Sequence, residues 1–231
     1  MHADRIRENL DAIRGRMAEA AARSGRDPSA VALVAVTKRN PPELIRLLVD
    51  AGVNDLGENY PQELWGKVEA LADLPARWHL IGHLQGNKAK KTLPMVRMIH
   101  GVDSRKLLLT LDDLAGGLAD PPSVCLQVNA SAEASKHGWD PDAILRDALS
   151  ISGCRRISVV GLMTMAGYGT TDEEARPAFA MLRTLRDRLR IETGLALPEL
   201  SMGMSGDFTA AIEEGATMVR VGSALFKGVV G

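Results

Sequence analysis

The chain has 231 residues, 45% hydrophobic and 25% charged, the composition of an ordinary globular protein rather than a disordered one. Aromatic residues are only 3%, so Val, Leu, Ile, Met and Ala must build the core and little is left for stacking nucleic-acid bases. Lys plus Arg number 28 against 29 Asp plus Glu, a formal charge of −1 and too balanced for a polyanion binder that works through bulk electrostatics.

Cys125 and Cys154 are far apart, in or beside apolar segments and without histidines at metal-ligand spacing, which fits a reduced, cytoplasmic protein. No run approaches the roughly 18 apolar residues of a membrane span. The N-terminal stretch mixes charges of both signs, unlike an export signal. Neither nucleic acid nor membrane is expected as a partner.

In chain order, Ile6, Leu10, Ile13 and Met17 fall at helical spacing and predict an N-terminal helix ending near Ser24-Gly25. The β-branched run Val31 to Val36 predicts a strand buried on both faces and closed by Thr37-Lys38. Pro41-Pro42 then opens a helix that stops at Gly52. Further strands are predicted at 55–57, 77–81, 98–102, 124–128, 159–163, 199–202 and 217–221. Helical patterns lie at 61–71, 104–115, 141–150, 172–192 and 206–214. Thr171 and Glu174 have capping-box spacing, while Pro177 predicts either a kink or a later helix start.

Eight βα alternations in a chain near the roughly 250-residue norm predict an α/β fold, a single (β/α)8 TIM barrel over residues 1–231 with an extra helix, 1–25, packed on it. A doubly wound open sheet is the alternative, although no GxGxxG follows the first strand.

Barrel chemistry gathers at the C-terminal ends of strands. Lys38 ends the first strand after six apolar residues. It is either a solvated lysine or an amine at a partly desolvated mouth, able to attack a carbonyl. The loops Ser201 to Asp207 and Val221-Gly222-Ser223 offer hydroxyls, glycines and backbone N–H groups after strands seven and eight, where barrels recurrently bind phosphate; their glycines alternatively serve only tight turns. Arg220, flanked by valines, needs a partner, either a carboxylate such as Glu58 or Asp103 or an acceptor on a bound ring. The basic run 86–91 reads as a solvated helix face or an RNA contact. His79, His83 and His100 flank strand ends without clustered Cys or carboxylates, so no metal site is expected. Met163, Met165, Met202 and Met204 read as core or pocket wall.

The stretches VAVTK, LGENYPQE, WHLIGHLQGNK, VDS, LQVN, GLMTM and ELSMGMSGDFTAAIEEGATMVRVGSALF, in order over most of the chain, closely resemble the pyridoxal phosphate homeostasis proteins of the YggS/PROSC type, relatives of the alanine racemase barrel domain. The resemblance implies that Lys38 holds pyridoxal 5′-phosphate as a Schiff base, an N6-(pyridoxal phosphate)lysine. It places the phosphate on Ser201, Ser205, Gly222 and Ser223, directs Arg220 at the pyridine nitrogen, and lines the ring with Asn59 and His79. It further implies a cytoplasmic monomer that acts in vitamin B6 homeostasis, with apo pyridoxal phosphate enzymes as recipients of the cofactor. Trp139 and Tyr168 depart from the family in variable loops.

A protonated arginine at the ring nitrogen weakens the ring as an electron sink, so transamination and decarboxylation fit poorly. Racemisation needs a second base, which the related racemases take from a tyrosine of the other subunit; this chain has only Tyr60 and Tyr168. The expectation is therefore a non-enzymatic carrier with no established catalytic residue and no second domain after Ser223. A weak amino-acid racemase is the alternative, and an RNA-binding scaffold is a third class. Lys88, Lys90, Lys91 and Lys136 are candidates for assisting transfer.

Overall fold

Each of the first seven apolar strand runs is followed by at least one helix, and in the computed structural model the alternation closes on itself. Residues 1–130, 137–167, 169 and 171–229 are described. An initial helix α1 (His2–Arg23) precedes strand β1 (Ala32–Val36), and β2 to β8 follow as Asp55–Glu58, Arg77–Leu80, Met98–Val102, Ser123–Gln127, Ser158–Met163, Glu199–Ser201 and Met218–Val221. The intervening helices are α2 (Pro42–Asp50), α3 (Pro61–Ala70), α4 (Gly86–Thr92), α5 (Arg105–Ala115), α6 (Pro141–Arg146), α7 (Ala148–Ser152), α8 (Asp172–Thr193) and α9 (Phe208–Glu213).

All eight strands pair in parallel and in chain order, and β8 returns to β1 with Ala32 opposite Met218 and Ala35 opposite Val221. The closed ring leaves no sheet edge, whereas an open doubly wound sheet has two, so the barrel is the fold. One face of each strand meets the helices: Ala35, Leu56, Leu80, Ile99, Leu126, Leu162, Leu200 and Val219 belong to the main apolar cluster. Val34, Val36 and Ile81 form a separate cluster, and Cys125, Met163 and Met218 another, the latter two strand methionines packing the barrel rather than its coat.

α1 is held as its pattern predicts, with Ile6, Leu10, Ile13 and Met17 buried. Arg16 also places its guanidinium over the Phe208 ring, 4.4 Å from the centroid. One local outcome differs from expectation, and two follow one of the readings that the sequence left open. The predicted helix at 141–150 is two, because Asp147 leaves the helical region at φ −87°, ψ 7° and serves as the junction of α6 and α7. The basic run 86–91 forms α4, where Lys91 sits over Trp65, 4.2 Å from the ring centroid. α8 includes Pro177 and starts at Asp172, its first turn secured by the reciprocal Thr171–Glu174 capping box.

Two close approaches require glycine. A Cβ on Gly161 would lie 1.9 Å from the Glu199 carbonyl oxygen, which seats β6 against β7. One on Gly82 would lie 2.2 Å from the Asn59 carbonyl oxygen, so the chain leaving β3 presses on the chain leaving β2.

Candidate functional site at the barrel mouth

Lys38 is exposed on a turn whose base is anchored by Thr37. Thr37 is fully buried; its N–H donates to the Gly57 carbonyl at 3.0 Å and its hydroxyl to Glu58 Oε1 at 2.6 Å. Lys67 Nζ donates to that same carboxylate oxygen at 2.5 Å and to the Thr37 carbonyl at 2.8 Å. Glu58 is fully buried and Lys67 nearly so, making a charge pair whose partners depend on each other. Glu58 is therefore the partner of Lys67 and not of Arg220. Arg39 follows with φ 62°, a left-handed conformation uncommon for a residue with a side chain, and Asn40 Nδ2 closes the turn on the Lys38 carbonyl at 3.1 Å.

The loops after β7 and β8 come together beside this turn. Ser205 Oγ accepts from the backbone N–H of Gly222 at 3.3 Å and of Ala224 at 3.5 Å. The Arg220 N–H donates to the Gly203 carbonyl at 2.9 Å, tying one loop to the other strand. Gly203 has φ 93°, and a Cβ there would lie 2.6 Å from that of Ala211, so the tight path requires glycine. A Cβ on Gly222 would stand 3.1 Å from Val36 Cβ, which puts the β8 loop against the end of β1, two residues before Lys38. Ser223 is exposed on this loop. Hydroxyls and backbone amides thus gather next to an accessible lysine, the donor set that an anion needs.

Below them runs a buried polar chain. Arg220 donates through Nη1 to Ser201 Oγ at 2.7 Å and through Nη2 to the Thr164 carbonyl at 2.9 Å. Ser201 Oγ is 2.7 Å from His100 Nδ1, His100 Nε2 is 2.9 Å from His79 Nδ1, and His79 Nε2 is 3.1 Å from Asp55 Oδ1. Arginine can only donate and a carboxylate can only accept, so the intervening protons order one way: Ser201 donates to His100, His100 to His79, and His79 to Asp55. Both imidazoles then carry their proton on Nε2. Burial, with Arg220 and His79 nearby, depresses the His100 pKa well below the imidazole norm and keeps it neutral. Burial pushes the Arg220 guanidinium down to about 10, so it remains charged at neutral pH. Burial works to raise the Asp55 carboxyl, yet the hydrogen bonds from Arg77 and His79 outweigh it and hold the group well below the carboxylate range.

Arg220 therefore faces neutral acceptors, Ser201 and Thr164, and meets neither Glu58 nor Asp103. Asn59, half-buried, sits where the chain leaves β2. His79 has both ring nitrogens engaged within the barrel and joins the site through His100 and Ser201. His83 stands apart from the other two histidines considered for a metal and contacts Asp103 instead. Tyr60 is exposed just ahead of α3; Lys136 and Tyr168 lie outside the described residues. Thr37, Lys67 and Asp55 escaped sequence reasoning. Thr37 adjoins Lys38 and was the one of the three with a positional signal.

The model of the alanine racemase N-terminal domain matches residues 3–229. The pyridoxal phosphate homeostasis protein of Pseudomonas aeruginosa is 42% identical over 96% of this chain and 94% of its own length. That of Aquifex aeolicus is 40% identical over 95% of this chain and 96% of its own. PipY of Synechococcus elongatus, solved with pyridoxal phosphate bound, is 40% identical and superposes at a TM-score of 0.85, covering 96% of this chain and 99% of that one. Alanine racemase from Corynebacterium glutamicum shares the fold at a TM-score of 0.74 and 15% identity, with 97% of this chain matching 60% of the enzyme. The chain belongs to the alanine racemase N-terminal domain family and, within it, to the pyridoxal phosphate homeostasis proteins.

Proposed function

We propose that this chain, as one domain over residues 1–231, binds pyridoxal 5′-phosphate at the barrel mouth and serves vitamin B6 homeostasis as a non-enzymatic holder. One observation carries the reading: Gly222 packs on Val36, which sets the Ser205 amide-and-hydroxyl cradle beside the turn that bears Lys38. An amine and an anion cradle side by side suit a ligand that is both an aldehyde and a phosphate ester. The relative solved with this cofactor supports the choice.

When bound, the cofactor supplies an aldehyde that forms a covalent bond with a primary amine. Lys38 supplies that amine, held in place by the Thr37 and Asn40 bonds to its flanking backbone. Ser205, Gly222 and Ser223 hold the phosphate, and Ser201, whose hydroxyl donates to His100 and accepts from Arg220, backs the site from below. Arg220, hydrogen-bonded to the neutral Ser201 hydroxyl and Thr164 carbonyl and close to the buried Asp207 carboxylate, keeps its proton and directs its donor capacity at the ring nitrogen. Asn59 and His79 complete the ring walls. Accessible Lys38 favours release to a competing amine, and apo forms of pyridoxal phosphate enzymes are the recipients. The protein works as a cytoplasmic monomer.

The test is retention. Protein loaded with pyridoxal phosphate and dialysed keeps a stoichiometric amount and shows the absorption of a lysine-bound pyridoxal, and Lys38→Ala loses both. Wild-type protein that releases all cofactor on dialysis contradicts the reading. Alanine and serine enantiomers stay unconverted on prolonged incubation; turnover abolished by Lys38→Ala would establish the racemase instead.

A further inference from the structure

Three side chains that the cofactor reading does not use converge after consecutive strands: His83 after β3, Asp103 after β4 and His137 after β5. His83 Nδ1 is 2.7 Å and His137 Nδ1 3.7 Å from the same oxygen, Asp103 Oδ2. All three ligating atoms lie within 4.8 Å of one another. The two imidazoles stack, with centroids 4.6 Å apart and planes at 17°, so both address one carboxylate.

The backbone is built to bring them there. Gly82, immediately before His83, is the residue whose Cβ would strike the Asn59 carbonyl. Gly138, immediately after His137, has φ 129°, and a Cβ on it would come 2.8 Å from the Asn129 nitrogen. The His137 carbonyl accepts from Gln127 Nε2 at 2.8 Å, which fixes it to the end of β5. The Asp103 side chain is only 9% exposed, and among the described residues no lysine or arginine pairs with it. A nearly enclosed carboxylate needs positive charge close by.

We propose that His83, Asp103 and His137 bind a divalent transition-metal ion, Zn²⁺ being the best match, with a coordination position left open at the barrel mouth. Two imidazoles and one carboxylate form a borderline donor set that suits Zn²⁺ and offers too few oxygens for Ca²⁺ or Mg²⁺. A tetrahedral ion at roughly 2.0–2.2 Å from each donor separates the donors by about 3.4 Å. The 2.7 and 3.7 Å spacings bracket that value. The ion takes the place of the proton on each Nδ1, and the proton of each neutral ring resides on Nε2. With three protein ligands, the fourth position takes water or an oxygen anion.

The experiment is equilibrium dialysis of tag-free protein against Zn²⁺, with and without pyridoxal phosphate, followed by metal analysis. One Zn²⁺ per chain is expected in both conditions. Asp103→Asn and His137→Ala each weaken binding at least about tenfold. Co²⁺ in place of Zn²⁺ gives visible absorption of a low-coordinate site, lost in the same variants. The His137 side chain is 66% exposed, so His137→Ala keeps the wild-type unfolding temperature and reports binding alone. No Zn²⁺ retained, retention equal in wild type and both variants, or retention only with the cofactor present overturns the proposal. None of these outcomes bears on whether Lys38 holds the cofactor.

Discussion

Arg220 near the end of β8 and Asp55 at the start of β2 are joined by four hydrogen bonds through Ser201, His100 and His79. A donor-only group at one end and an acceptor-only group at the other polarise the chain in one direction. Arg220 is thus positioned by groups reaching to the opposite end of the barrel.

Removing the central hydroxyl tests this. Ser201→Ala leaves His100 Nδ1 without a donor and takes one acceptor from Arg220 in a buried setting, so unfolding by urea should show a loss of about 1–3 kcal/mol. Pyridoxal phosphate affinity should fall as well, measured by titration, because the Arg220 fork loses its fixed orientation. An unchanged midpoint and affinity would mean that the chain does not position Arg220.

The histidine at its centre sets a pH dependence. His100 has a folded pKa below its unfolded value of about 6.5, so it binds a proton on unfolding once pH drops below that value. Its contribution is therefore complete above about pH 6.5 and is lost as pH falls toward the folded pKa, at up to about 1.4 kcal/mol per pH unit. Thermal unfolding between pH 7 and pH 5 should show this slope, and His100→Gln should flatten it. Asp55, also depressed, adds a second loss at pH values below about 4.

Gly203 and Gly206 lie in the same loop but differ in space. Gly203→Ala combines positive φ with a 2.6 Å clash and should cost about 2 kcal/mol or more while weakening cofactor retention. Gly206→Ala meets nothing within 4 Å and should stay within about 0.5 kcal/mol of wild type. Chemical denaturation of the two variants side by side gives the comparison.

Most of the barrel was legible because each strand run is apolar on its helix-facing side, bounded by Gly, Pro or polar residues, and spaced by helical patterns. β1 to β8 all appear within a residue or two of their expected bounds. Lys38, Ser205 and Gly222 were legible by position, since strand ends are where a barrel works. The buried pairs were not. Glu58 and Lys67 sit on β2 and α3, and only the three-dimensional approach to Thr37 reveals their roles. His79 read as a ring-wall residue, yet its engagement with Asp55 and His100 depends on which barrel face each strand presents. His83, Asp103 and His137 come from three separate loops, and no spacing rule links them.

The Glu58–Lys67 pair under the lysine turn makes its own prediction. Glu58→Gln leaves the Lys67 ammonium, with a side chain only 12% exposed, beside a neutral amide and should destabilise the protein by about 3 kcal/mol. Double substitution with Lys67→Met should recover part of that loss, since removing both partners relieves the unpaired charge. Equilibrium unfolding of the single and double variants measures the coupling.

Lys38 is the residue proposed to bond to pyridoxal phosphate. Borohydride reduction of the loaded protein, followed by proteolysis and peptide mass spectrometry, tests it most directly. A reduced pyridoxyl adduct on the peptide carrying Lys38, and none in the Lys38→Ala variant, is the predicted result. An adduct confined to Lys67, Lys88, Lys90 or Lys91, or the same labelling with Lys38 replaced, would contradict it.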